Sequence, residues 1–259
     1  KYFPGAAQRY NGGSTFANKF DVDKFSKHRS LNIYYPFASS GDWELGSWLL
    51  CSGLSMSVIN TFLSLSLIKK LPLSFHTANE LCGQAKLLPS GPCWKLQEIQ
   101  TLHPTKRLVM LYWHNPLELV QFLFNNPEFQ DIMELSPYCL YDSAAHLHHI
   151  YTEWMSGEDA WSMQSQIPQG TTLLGTIISS DKTTISVLTG DCVTHPPLIS
   201  LGSIKMATQL KPSSHSFLLA ALLPVPKFIH KNKWMKGVLE PCLIHHCLDI
   251  VLEPLKQAA

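Results

Sequence analysis

The sequence contains very little arginine. Lysine supplies 17 of the 20 basic residues, and only Arg9, Arg29 and Arg107 supply the rest. The 19 acidic residues almost balance them, so the formal net charge is +1 at pH 7. A chain with so small a net charge has no overall field that would draw it to nucleic acid or to an anionic membrane. We therefore expect any such binding to depend on a local cluster of charge.

Two patterns that mark secreted proteins are also missing. The seven cysteines are odd in number and do not repeat a C-x-x-C spacing. In a chain of 259 residues this favours reduced thiols in an intracellular compartment over a disulfide framework. The chain starts without the basic and then apolar segment of a leader peptide, so we expect no secretory signal.

One long segment, residues 45–68, has no charged side chain and is long enough to span a bilayer. Six serines and two glycines lower its hydropathy, and Gly53 divides it. We expect two helices here and no membrane association, with a membrane span as the alternative.

The sequence predicts an α+β protein in four regions. Residues 1–40 are rich in Gly, Asn, Ser and aromatics and are expected to form an extended arm. Residues 41–92 are predicted to be helical, and residues 93–168 to be mixed α/β. The turn at 167–170 is the expected boundary before a last region, residues 169–259.

The helical region has the pattern of helix, glycine turn and helix. Asp42 is expected to cap a first helix, which Gly53 would end, and Ser55 to cap a second. A third helix is predicted over 77–87. This pattern is typical of a helix-turn-helix that binds DNA, but also of a plain helical hairpin in a core.

The later regions alternate strand and helix signals. Asn115 is predicted to cap a helix over 116–124 that has proline at its first position. Beyond residue 170 we predict strands over 172–180, 198–201 and 216–223 and a final helix over 242–252. Residues 184–188 are predicted to be a second short strand or the far side of a hairpin. Three strands followed by a helix is how a ribonuclease-H-like sheet begins, so the last region is interpreted as an incomplete sheet of that kind.

Asp181 ends the β-branched and apolar run of residues 171–181, TTLLGTIISSD. A buried strand that delivers a carboxylate at its tip is one way to place a metal ligand at the edge of a sheet. Aspartate is also an ordinary turn residue, so the pattern alone leaves both interpretations open.

Several long motifs resemble the Plavaka family of fungal transposases. They include TTLLGTIISSDKTTIS, FLLAALLPVPKFIHKNK, LIHHCLDIVLEPLK, NIYYPFASSGDWELGSWLL, LPLSFHTANEL, HPTK and YTEWMSGEDAWSMQSQ. The resemblance covers nearly the whole chain. It implies a cut-and-paste transposase with an Asp-Asp-Glu catalytic core of ribonuclease-H type, which acts on DNA at transposon ends and in the nucleus.

The resemblance implies that Asp181, in the SSDKT motif, is the first catalytic, metal-binding carboxylate. In such a core two Mg²⁺ ions stabilise the attacking and leaving oxygens of the phosphodiester. The second and third acids of the family come after the helix that follows strand three. Asp191, Glu240 and Asp249 are predicted to lie on a turn, a loop and a helix, so we expect those two acids to be missing.

We therefore expect a truncated transposase that does not cleave DNA, with weak or absent Mg²⁺ binding. The alternative is a non-catalytic DNA-binding or interaction protein derived from a transposon remnant. In both cases DNA is expected to contact a basic stretch formed by Lys227, His230, Lys231, Lys233 and Lys236 with Trp234, and the alternative for that stretch is a solvated loop. The residues predicted to bind nucleic acid are Lys182, Lys227, Lys231, Lys233 and Lys236.

Histidines and cysteines form three clusters that look like metal sites: His146 with His148 and His149, Cys242 with His245, His246 and Asp249, and Cys247 beside the second cluster. The resemblance implies another origin, because Arg stands in the family where this chain has residues such as Cys242. Decay of arginine codons in a silenced transposon would produce these residues and would explain the scarcity of arginine.

Overall fold

The computed structural model describes residues 1–8, 18–143, 145, 148–186 and 192–258. The chain divides into two compact units, which we call the first unit (Lys1–Gly12 with Pro92–Ala259) and the second unit (Gly13–Gly91). Helices occur in both units, and the strands are paired in small antiparallel sheets. The predicted mixed class of helix and strand is therefore confirmed.

The second unit is built from short helices. They are α1 (Asn18–Val22), α2 (Ser26–Leu31), α3 (Ser40–Cys51), α4 (Met56–Leu63) and α5 (Ala78–Ala85), with a 3₁₀ turn at Ile68–Lys70. The first two lie in the range that the sequence predicted to be extended. Side chains that accept hydrogen bonds from free amides fix the starts of later helices: Ser55 caps α4, as predicted, and Thr77 caps α5.

Asp42 does not cap α3, so that prediction is wrong. The cap is Ser39, whose hydroxyl accepts a hydrogen bond from the Asp42 amide at 3.3 Å. Asp42 lies inside the helix, is 2% exposed, and accepts hydrogen bonds from the Ala38 amide at 2.8 Å and the Ser74 amide at 3.1 Å. The Ser74 hydroxyl also donates to it. Asp42 thus joins α3 to the segment before α5.

The core of the second unit contains Phe37, Phe75 and Leu81, all nearly inaccessible to solvent. Gly53 has φ +70°, the left-handed conformation that ends a helix and that L side chains avoid. Residues 45–68 therefore form two helices and a turn, as predicted. Among the described residues, no helix is both long and apolar enough to cross a membrane.

All strands of the described residues lie in the first unit. They are β1 (Trp94–Glu98), β2 (Met110–His114), β3 (Leu140–Tyr141), β4 (His149–Ile150), β5 (Thr176–Ser180), β6 (Thr183–Ser186), β7 (Cys192–Thr194), β8 (Pro197–Leu201), β9 (Leu218–Leu219) and β10 (Ala221–Leu222). The helices are α6 (Pro116–Phe124), α7 (Glu158–Gln166), α8 (Met206–Gln209) and α9 (Lys233–Ala258). The Asn115 side chain caps α6 with a 3.1 Å bond from the Leu117 amide, which confirms that prediction.

Two three-stranded antiparallel sheets, in the orders β5-β8-β9 and β1-β2-β10, share the short segment that contains β9 and β10. Ala220 lies between those two strands. Its amide donates to the Pro197 carbonyl, and its carbonyl accepts from the His114 amide, both at 2.8 Å. The strands therefore lie side by side in the order β5, β8, the segment that contains β9 and β10, β2 and β1.

Helices cover this strand succession. Leu243, Cys247 and Val251 of α9 pack in one buried cluster with Leu111 of β2 and Ala221 of β10. A second cluster packs α6 against β8. The last helix, α9, is longer than the predicted 242–252. It continues through Pro241 and Pro254, although proline disfavours a helix interior.

Candidate functional site

Asp181 is exposed and follows β5 directly, at the point where the chain leaves the sheet. β5 runs antiparallel to β8, from Thr176 opposite Leu201 to Ser180 opposite Pro197. The carboxylate therefore lies one residue beyond the last strand pair. This is the strand-tip position that the sequence predicted for a metal ligand.

The strand itself differs from the prediction. We predicted a buried strand, but four of the five residues of β5 are exposed, including Ile178 at 43%. The reason is its position at the edge: β5 pairs with β8 and with no other strand of the described residues. β8, which has neighbours on both sides, is buried at Pro197, Ile199, Ser200 and Leu201.

Lys182, the residue after Asp181, forms an ion pair with Glu240 of α9. The lysine side chain is 44% exposed and the glutamate 30% exposed. Glu240 was predicted to lie on a loop, and that prediction is wrong, because α9 begins seven positions earlier at Lys233. The ion pair links the chain just beyond β5 to the first half of α9.

Among the described residues, the other acids considered from the sequence do not form a metal-binding group with Asp181. Asp191 lies outside the described residues. Asp249 is exposed on α9 and accepts a 2.8 Å hydrogen bond from Lys256, which lowers the pKa of its carboxyl. In the described part of the chain, no three His, Cys, Asp or Glu side chains are placed to hold one metal ion.

The fit to the implied magnesium ions is therefore incomplete. Mg²⁺ requires near-octahedral oxygen ligands, which in nucleic-acid enzymes come from carboxylates, water and substrate phosphates. The described residues supply one such carboxylate, Asp181, beside a glutamate already bonded to a lysine. We assign no catalytic step to a metal in this chain. The cysteines of α9 do not lie on one metal site either, since Cys242 is exposed and Cys247 is buried.

The predicted basic stretch lies between β10 and the first turns of α9. Lys227, Lys231 and Lys236 are all exposed, and so is Trp234, at 71%. Lys233 begins α9, but its side chain is outside the described atoms. None of the three exposed lysines forms an ion pair with a described residue. Unlike Lys182, these three cations are not neutralised by a carboxylate.

Sequence reasoning missed two cations that fold against this stretch. The Lys106 amide donates a 3.0 Å hydrogen bond to the Lys227 carbonyl, and Arg107 follows in the chain. Both side chains are exposed. The HPTK motif, residues 103–106, was visible as part of the resemblance, but nothing in it indicates which distant segment it pairs with.

Comparison with protein families decides the assignment. A model of the Plavaka transposase family matches residues 75–259, more than two thirds of the chain. The chain belongs to the Plavaka transposase family. The matched range contains Asp181, the whole basic stretch and Lys106 with Arg107, whereas α1 to α4 precede it. Comparison with curated proteins and with solved structures gives no match.

Family membership confirms the resemblance that the motifs suggested. A transposase of this family acts on DNA, and its chemistry in general uses divalent metal ions. The exposed, unneutralised cations around Lys227 have the chemistry for phosphate, while Asp181 supplies a single metal ligand.

Proposed function

We propose that this chain is a DNA-binding part of a transposase, and that it binds duplex DNA through the basic stretch of Lys227, Lys231 and Lys236. The observation that carries the proposal is the exposure of these cations without a neutralising partner in the described structure. Lysines of this kind release counterions when they contact phosphates, so their binding is strong at low salt. We infer that the chain acts in the nucleus, where its substrate lies.

We also propose that β5, β8 and β9 with the following α9 are the beginning of a ribonuclease-H-like sheet, with Asp181 as its first acid. The antiparallel order β5-β8-β9 supports this. The edge of β5 that has no partner among the described strands supports it too, because a further strand could pair there. The resemblance places the second acid of the family beyond the helix that follows the third strand.

The chain alone is proposed not to cleave DNA. Phosphodiester cleavage builds charge on the attacking and leaving oxygens, which two metal ions must stabilise together. Asp181 is one ligand for such a pair, and the described residues bring no second and third acid to it. In this chain Asp181 then occupies the position of the family's first acid without catalysing cleavage.

Fluorescence anisotropy with a labelled 20-base-pair duplex tests the DNA-binding proposal. If about four phosphates are neutralised, the logarithm of the association constant should fall with the logarithm of salt concentration with a slope of about −4. The variant with Lys231→Gln and Lys236→Gln should bind more weakly and with a shallower slope. Lys211→Gln, at an exposed lysine outside the stretch, is the matched control. Salt-independent binding, or no binding at low salt, would refute the proposal.

A further inference from the structure

Two segments far apart in sequence form an isolated antiparallel bridge beside the basic stretch. Thr105 and Phe228 form an antiparallel bridge. The Lys106 amide donates to the Lys227 carbonyl at 3.0 Å, and the Ile229 amide donates to the Pro104 carbonyl at 2.8 Å. This register places Lys106 directly opposite Lys227.

The two lysines share the side that faces solvent. Phe228 is 7% exposed and packs in the buried cluster with α9. Successive residues of an extended segment point to opposite sides, so Lys227 and Ile229 point away from that cluster. Lys106 lies opposite Lys227 in this register, and the chain bends there with the Lys106 side chain exposed. Both lysines are exposed, and Ile229 is 54% exposed beside them.

No carboxylate of the described residues compensates for the repulsion of this lysine pair. Like charges directly opposite each other destabilise an antiparallel pair. The sequence has no Asp or Glu over residues 99–117 or over residues 192–239, the two ranges that meet here. Within the part of the chain that the structure describes, neither lysine forms an ion pair, and neither do Arg107 and Lys231. A pairing of this kind is stabilised when an anion bridges the two cations.

We propose that Lys106 and Lys227, flanked by Arg107 and Lys231, clamp neighbouring phosphates of a DNA backbone. The inference deepens the DNA-binding function proposed above, to which it adds a second chain segment and a defined pair of phosphate ligands. Lysines act on phosphate as point charges and read no base edge. The clamp therefore contributes affinity that does not depend on the DNA sequence. It also fixes where the duplex crosses the first unit, at Lys106 and Lys227.

The test compares Lys106→Gln and Lys227→Gln with Lys211→Gln, a loss of the same charge at an exposed lysine outside the clamp. Anisotropy is measured with two unrelated 20-base-pair duplexes over a salt series. Each clamp variant should lose about 3- to 10-fold in affinity for both duplexes and reduce the salt slope by about 1. The control should match the wild type. Lys106→Arg keeps the charge and should restore binding.

Thermal unfolding of the free protein gives an independent readout. Because the two lysines repel each other without DNA, each clamp variant should have a midpoint equal to or above that of the wild type. Weaker DNA binding would then not result from unfolding. If the wild type binds DNA but the clamp variants bind with the same affinity and salt slope, the clamp is refuted and the proposed function stands. If the wild type does not bind DNA, both are refuted.

Discussion

Lys182 and Glu240 form an ion pair that joins the residue after Asp181 to α9. The connection is made beyond the end of β5, where no strand pairing continues on the edge side within the described structure. Through this ion pair the strand tip that carries Asp181 is connected to α9, which packs against the sheet. Its strength and its effect on binding are both measurable.

Removing the Lys182–Glu240 pair should cost little stability. Both side chains are partly exposed, so water and salt screen their attraction, and such pairs contribute about 0.2–1 kcal/mol. We expect urea unfolding of Lys182→Gln, Glu240→Gln and the double variant to give a coupling free energy in that range, and lower at 0.5 M salt. A coupling of zero at low salt would mean that the pair does not hold the strand tip in solution.

Loss of the Asp42 carboxylate should destabilise the second unit much more. Asp42 is 2% exposed and accepts three hydrogen bonds, from the Ala38 amide and from the amide and hydroxyl of Ser74. Asp42→Ala leaves the Ala38 and Ser74 amides without an acceptor, while the Ser74 hydroxyl keeps its bond to Gln84, so we expect a loss of about 2–3 kcal/mol in the free energy of unfolding. Glu44→Ala, on an exposed position of the same helix, is the control and should change it by less than about 0.5 kcal/mol. Equal losses in both variants would contradict this interpretation.

Lowering the pH should remove the contribution of Asp23 to the free energy of unfolding. The Arg29 guanidinium donates two hydrogen bonds to this carboxylate, and this holds the pKa of Asp23 below its ordinary value. A lowered folded-state pKa adds stability above the unfolded value, about 3.9, and loses it as the pH falls through the folded value. Wild type should therefore exceed Asp23→Asn in urea midpoint at pH 6, and the difference should shrink below about pH 4. A constant difference from pH 7 to 2.5 would contradict the assignment.

Cysteine reactivity should follow exposure. Cys247 is fully buried, and burial raises the pKa of its thiol to about 11. The thiolate is the reactive form, so Cys247 should remain unmodified at pH 8. Cys51, Cys93 and Cys242 are exposed free thiols and should react with iodoacetamide first. Peptide mass spectrometry with and without urea measures this. Labelling of Cys247 as fast as Cys242 in the folded protein would show that α9 does not pack as described.

The sequence predicted best those features that neighbouring residues determine. Ser55, Asn115 and the proline after it specify helix starts through local hydrogen bonds and a fixed φ, and these starts were confirmed. Asp42 was wrongly predicted to be a helix cap. Aspartate serves both as a cap and as a buried hydrogen-bond acceptor, and the local sequence does not separate the two roles. The distinction depends on Ser74, which lies beyond the next helix.

Non-local pairing was beyond the sequence. The apolar run before Asp181 predicted a buried strand, but burial depends on how many neighbours a strand has, and β5 has β8 alone among described strands. The pairing of Lys106 with Lys227 likewise follows from the register between two distant segments. The Lys182–Glu240 pair could not be predicted either, since α9 was expected to start after Glu240.

The most direct measurement of the central claim is incubation of supercoiled plasmid with this chain in 5 mM Mg²⁺, with binding and nicking followed in the same samples. We expect a salt-sensitive shift of the plasmid with no nicking above background, and the same result for Asp181→Ala. Mg²⁺-dependent nicking that is lost in Asp181→Ala would contradict it, because Asp181 would then belong to a complete catalytic centre.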